Sequence, residues 1–147
     1  VMTNYLCTVH LVALAEALTT CKAAGLDMNT AYEAIRISSG NSFVHETESQ
    51  VILNGSRDIN FTMDLVSKDI GLFDDIAQEH GVPVELSPLI VRLFKEARAQ
   101  YGDREFSPNI IRRFEEPLGL KVLGTGFPAD MVDDEPEEPG SEVVPRV

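Results

Sequence analysis

Few residues in this chain have the type and spacing to do chemistry. The stretch FTMDLVSKDIGLFDD places Phe61, Leu65, Lys68 and Leu72 at the three-, four- and seven-residue separations of one helix face. A lysine among apolar neighbours either snorkels its ammonium to water or serves a bound group. The structural alternative is an exposed pair with Asp64, four residues earlier, worth about 0.3–0.5 kcal/mol. HETE, from His45 to Glu48, offers an imidazole and two carboxylates (Glu46 and Glu48) within one turn. A metal site needs a complete ligand set, and such clusters are common on solvated helices, so no metal is expected here. His10 sits in an apolar helical run and reads as a satisfied core or interface histidine.

The absent motifs are informative too. The chain contains no G-x-G-x-x-G, no Walker A loop, no H-E-x-x-H and no C-x-x-C. It therefore carries no dinucleotide phosphate loop of its own. Its formal net charge of −12 argues against nucleic acid and against an anionic membrane surface as primary partners. Much of that charge is local: from Ala129 onward seven acids face one base, Arg146, which supplies −6 of the −12. Two cysteines, Cys7 and Cys21, fall on one expected helix, separated by about 21 Å at 1.5 Å per residue. A disulfide needs Cα atoms within roughly 7 Å. Reduced thiols in a cytoplasmic protein are the simpler expectation. The opening apolar run is broken by Asn4, His10, Glu16 and Lys22 and lacks a basic leader region. It reads as neither a clean transmembrane span nor a signal peptide.

The elements that must position these residues all read as helix. The first is expected over 1–24, stopped by Gly25, with stripes Tyr5/Val9/Val12/Glu16 and Leu6/Ala13/Ala17/Cys21. Apolar on most of its circumference, it should be central in a bundle or a dimer. Asp27 caps a second helix over 28–37, and SSGNS leads into a short third over 43–51. A fourth is expected over 62–79. Ser87-Pro88 and Ser107-Pro108 each read as an N-cap serine before an N1 proline, opening helices over 88–101 and 108–116. The fold class is all-α: about six helices over 1–118, followed by a flexible acidic extension over 119–147. VLGTGFPADMV, within that extension, is apolar enough to lie on a neighbouring subunit, although a solvated tail fits the composition better.

The ordered set EAL…AAGLD, ISSGNS, F…KDIGL and the Ser-Pro helix beyond resembles the β-hydroxyacid dehydrogenase family, which includes 3-hydroxyisobutyrate dehydrogenase and tartronate semialdehyde reductase. The resemblance spans about 1–116 and concerns the helical C-terminal domain alone, a 6-phosphogluconate dehydrogenase C-terminal-like bundle. It implies an N-terminal Rossmann domain that binds NAD or NADP, and an interdomain helix bearing a Lys-x-x-x-Asn motif. Asn4 matches the asparagine, which orients substrate. The family's general acid–base lysine would immediately precede Val1. The chain thus looks like a fragment opening inside that helix, inactive alone.

The resemblance also implies that Lys68 reaches the cofactor, and that Phe61 and Asp69 line the substrate and nicotinamide cleft. These residue types suit those roles. A lysine is a compact donor and point charge for phosphate or ribose. An aromatic beside the ring can exclude water. An asparagine can donate and accept at once, as a hydroxyacid requires. The implied reaction is reversible hydride transfer at the hydroxyl-bearing β-carbon of a small 3-hydroxyacid, in a homo-oligomer, at least a dimer. The competing expectation is a stand-alone helical module for dimerisation or partner binding.

Overall fold

The computed structural model describes residues 1–133, and the acidic run from 134 onward lies outside them. Six α-helices follow one another: α1 (Met2–Ala23), α2 (Met28–Arg36), α3 (Phe43–Asn54), α4 (Met63–Glu79), α5 (Leu86–Tyr101) and α6 (Arg112–Leu118). A 3-10 turn, Ser107–Ile111, leads into α6. The fold is all-helical, with no named strand among the described residues; the one β-bridge, Thr62 to Phe106, ties the start of α4 to that turn.

Helix α1 is the axis. It packs on each of the other helices and on the 3-10 turn. Its buried face is Thr8, Leu11, Val12, Leu14, Ala15, Leu18 and Thr19, a three-and-four repeat. Two threonines can sit there because each returns its hydroxyl to the preceding turn, Thr8 to the Asn4 carbonyl at 2.8 Å and Thr19 to that of Ala15 at 2.7 Å. This face differs from both stripes read in the sequence: Leu6, Ala13 and Ala17 are exposed. An almost all-apolar circumference has no phase from which sequence could choose the inner side. By length and hydropathy α1 could cross a bilayer, yet here it is the core helix.

Local signals set most boundaries. Gly25, at φ +80°, ends α1, and Asp27 accepts from the Thr30 amide at 2.8 Å to start α2. Ser42 accepts from the His45 amide at 3.0 Å to start α3, which runs to Asn54 before Gly55 at φ +85°. The two Ser-Pro expectations need correction. Ser87 lies inside the first turn of α5, and its hydroxyl donates to Asp74 of α4 at 2.8 Å. Ser107 opens a 3-10 turn, and its buried hydroxyl caps nothing. In both places a neighbouring element, or the lack of one, takes precedence over the local capping option.

Packing continues past Gly119, where the sequence reading starts the tail. Val122 is fully buried, Leu120 and Phe127 pack on the core, and the Gly124 amide donates to the Leu53 carbonyl at 2.9 Å. Asn29, Gln50 and Asn54 hold the backbone of 125–132 against α2 and α3. The described part of the segment therefore lies on its own domain. The anchor beneath it is a buried ion pair, Arg57 Nη2 to Glu115 Oε1 at 2.9 Å, whose carboxylate also accepts from the Val122 amide at 2.7 Å.

Candidate functional site

Three of the four residues that the resemblance names, Asn4, Lys68 and Asp69, meet where α1 crosses α4. Asn4 Nδ2 donates to Asp69 Oδ2 at 2.6 Å, 65 residues away in sequence. Lys68 Nζ stands 3.3 Å from the other oxygen, Asp69 Oδ1. The Asp69 side chain keeps 13% of its surface exposed and that of Lys68 keeps 61%, so the carboxylate is nearly enclosed and the ammonium is open to solvent. One rung further on, Tyr5 stacks on Phe73 with ring centroids 3.7 Å apart and planes 3° from parallel. Asn4–Asp69 and Tyr5–Phe73 thus cross-link the same two helices side by side.

The junction has clear chemical consequences. Asp69 takes one Asn4 N–H, which fixes the amide's orientation and leaves its carbonyl oxygen and second N–H available. Lys68 retains donors beyond the one aimed at Asp69. The trio offers a neutral acceptor and donor beside an open cation. The exposed pair with Asp64, the structural alternative for Lys68, does not form. Asp64 instead accepts from the Thr62 hydroxyl and from Arg104 at 3.1 Å, which hold its carboxyl below the usual range.

Phe61 is placed separately. It precedes the first turn of α4, half-buried against the core, and its carbonyl accepts from the Ser107 amide at 2.8 Å. Core packing positions it, without a polar tie to the trio.

HETE is not on a solvated face. His45 is 1% exposed: Nε2 lies 2.9 Å from the Tyr32 carbonyl and Nδ1 2.9 Å from Ser49 Oγ, and burial lowers its pKa below the ordinary histidine value. Glu48 is buried towards α1, whereas Glu46 turns to Asn41. The three side chains diverge, and no cluster of three metal-ligand types occurs among the described residues. His10 is exposed rather than in the core, and it lines a cleft of about 360 Å³ with Ala13, Asn41 and His45. A second cleft, of about 600 Å³, lies by Arg57, Arg112 and Lys121. The Asn4–Asp69–Lys68 trio lines neither of these two clefts.

Sequence reasoning missed the Tyr5–Phe73 stack, the Arg57–Glu115 pair and a contact between Cys7 and Glu48. Each joins residues more than 40 positions apart with no shared local pattern. The cysteines are unpaired, as expected.

The structure is an all-α domain built round one long apolar helix, with a polar junction where that helix meets α4. The chain belongs to the family described as NAD-binding of NADP-dependent 3-hydroxyisobutyrate dehydrogenase, which matches residues 1–113. NAD or NADP is the cofactor class of that family. The chain is 32% identical to 2-(hydroxymethyl)glutarate dehydrogenase of Eubacterium barkeri over 125 residues, covering 84% of this chain and 42% of that protein. It is 30% identical to L-threonate dehydrogenase of Haemophilus influenzae over 100 residues, 67% of this chain and 33% of that one. The crystal structure of 3-hydroxyisobutyrate dehydrogenase from Salmonella typhimurium superposes with a TM-score of 0.68 at 27% identity, over 76% of this chain and 39% of that one. The chain therefore spans a third to two fifths of the relatives it matches.

Proposed function

We propose that this chain is the helical, substrate-facing part of a cytoplasmic, homo-oligomeric NAD(P)-dependent dehydrogenase acting on a small 3-hydroxyacid. The observation that carries the reading is the Asn4–Asp69–Lys68 junction, with its 2.6 Å bond from the Asn4 amide. A hydroxyacid presents a hydroxyl and a carboxylate close together. The Asn4 carbonyl can accept from the hydroxyl while its remaining N–H reaches an anionic oxygen. Lys68 suits the phosphate or ribose of a dinucleotide, for which its solvent-exposed ammonium, paired with Asp69 on one side, is a point charge. Phe61 shields the reacting face from water. The nicotinamide group, when bound, supplies or accepts the hydride.

Support for the substrate class comes from relatives named for hydroxyacids, 2-(hydroxymethyl)glutarate and L-threonate. These 147 residues hold no G-x-G-x-x-G, and the G-x-G-x-x-A run Gly124 to Ala129 opens no helix, so the dinucleotide is held chiefly by sequence outside them, and this chain alone turns over no substrate. The test is steady-state kinetics of the full-length enzyme with a panel of short 3-hydroxyacids, read by nicotinamide absorbance. Lys68→Ala removes one charge-assisted contact of about 1.5–3 kcal/mol, so KM for the cofactor rises roughly tenfold or more. Asn4→Ala lowers kcat/KM for the acid and leaves cofactor KM in place. An unchanged cofactor KM in Lys68→Ala, or turnover by the 147-residue chain alone, would remove the reading.

A further inference from the structure

Beneath the Asn4 junction lies an acid that the proposed reaction does not use. Glu48 projects from α3 into the core and is 3% exposed. Its Oε1 accepts from Cys7 Sγ of α1 at 3.6 Å, and its Oε2 is buried with no hydrogen-bond partner. Among the described residues no cation answers this carboxyl. From α1 the titratable neighbour is Cys7, itself held as a neutral thiol. From α2, Tyr32 is turned to His45 and the Glu46 carbonyl. On α3, His45 is committed to Tyr32 and Ser49, and the 3-10 turn SPNII contains no titratable side chain. Such surroundings suit a protonated carboxyl and penalise a charged one.

Cys7 stands three residues after Asn4, one turn along the same side of α1. The first turns of α1 are tied to the rest of the domain by Asn4 to Asp69, Tyr5 to Phe73, and Cys7 to Glu48. The last of these is the link to α3.

We infer that Glu48 is a positioning residue: its carboxyl seats the first turns of α1 through Cys7 and so keeps Asn4 in register with Asp69, and gain or loss of its proton resets that seat. The geometry is supported by the titration expected of it, since burial pushes the carboxyl up to about 7. The functional meaning rests on the dehydrogenase reading, but the coupling itself does not.

The test is therefore spectroscopic. In the 147-residue chain, the Asn4 side-chain amide resonances are followed by NMR from pH 5.5 to 8.5. In the wild type they shift sigmoidally with a midpoint near 7. In Glu48→Gln, with His10, His45 and His80 all retained, that shift is lost. Cys7→Ala keeps the Glu48 titration, read at its own carboxyl carbon, and uncouples Asn4 from it; this variant decides the matter if Glu48→Gln does not fold. Asn4 resonances that are flat in the wild type, or that move equally in Glu48→Gln, overturn the inference. In the full-length enzyme, coupling without a dependence of kcat/KM on Asn4 would fault the dehydrogenase reading and leave the inference standing.

Discussion

Replacing Glu115 by alanine should be among the most damaging single changes in this domain, and its size can be worked from three contacts. Arg57 is 8% exposed and Glu115 5%. Arg57 gives one nitrogen to Glu115 at 2.9 Å and another to the Ile52 carbonyl at 3.0 Å. Burial already pushes the guanidinium below its usual range, and Glu115 is the main group that opposes this. Removing the carboxylate leaves a buried cation without a counter-charge, which costs about 3–5 kcal/mol. It also orphans the Val122 amide, a further loss of about 1–3 kcal/mol that overlaps the first. We expect a net loss of about 4 kcal/mol, set against a typical total of roughly 5–15.

Urea unfolding followed by circular dichroism reads this directly. With a slope of about 2 kcal/mol per molar, the midpoint falls by roughly 2 M. Arg57→Met/Glu115→Leu should recover much of the loss, because both charges leave together. Glu33→Ala, which breaks an exposed pair with side chains 46% and 58% accessible, serves as the control and should shift stability by less than about 1 kcal/mol. If Glu115→Ala costs no more than that control, or if the double variant is as weak as the single, the buried-pair argument is wrong.

Other expectations follow from the same contacts. Burial, with Glu48 beside it, pushes the Cys7 thiol up to about 12, so at pH 8 Cys7 should alkylate at least about a hundredfold more slowly than in the urea-unfolded chain, as peptide mapping would show. Gly124→Ala would set a Cβ 2.7 Å from the Phe127 ring and 2.8 Å from Asn29 Oδ1. It should destabilise the domain by about 1–3 kcal/mol and speed proteolytic cleavage within 120–133, with helix content unchanged. Glu48 holds a proton in the folded state, at about 7, that the unfolded chain releases near 4.5. Its contribution is therefore complete below the unfolded value, declines as pH climbs, and levels off above 7. Glu48→Gln should match the wild type at pH 4 and exceed it by about 3 kcal/mol at pH 8, and equal stabilities at both pH values would refute this.

The sequence made the helices legible because their ends are written locally. Gly25, Asp27 and Ser42 act within four residues of the turns they set, so their reading survives into the structure. The Ser-Pro signals read as equally strong, but Ser87 had a better partner in Asp74, thirteen residues back, which no local rule anticipates. Lys68 shows the same limit. Its four-residue spacing from Asp64 was real, yet both ends found closer or better-placed partners, Asp69 and Arg104. Exposed ion pairs differ by fractions of a kcal/mol, so tertiary geometry selects among them.

The Asn4 site was legible only in part, and the reason is physical. Resemblance named Asn4, Lys68 and Asp69 one at a time; what it could not supply was that Asp69 is the hub to which the other two attach. That hub depends on α1 and α4 crossing at their N-terminal halves. The crossing is fixed in turn by core residues such as Leu11, Val66 and Ile70 and by the Tyr5–Phe73 stack, none of which would bear a functional role in a motif scan. Buried polar partners such as Cys7 and Glu48 are harder still to read. A glutamate in HETE looks the same in sequence whether it faces water or the core. The deciding fact is the phase of α3, whose inward side carries Val44, His45, Glu48 and Ile52 in one continuous row. This acid sits in a row where an apolar residue would pack at less cost, and the polar side chain it bonds is the cysteine one turn from Asn4.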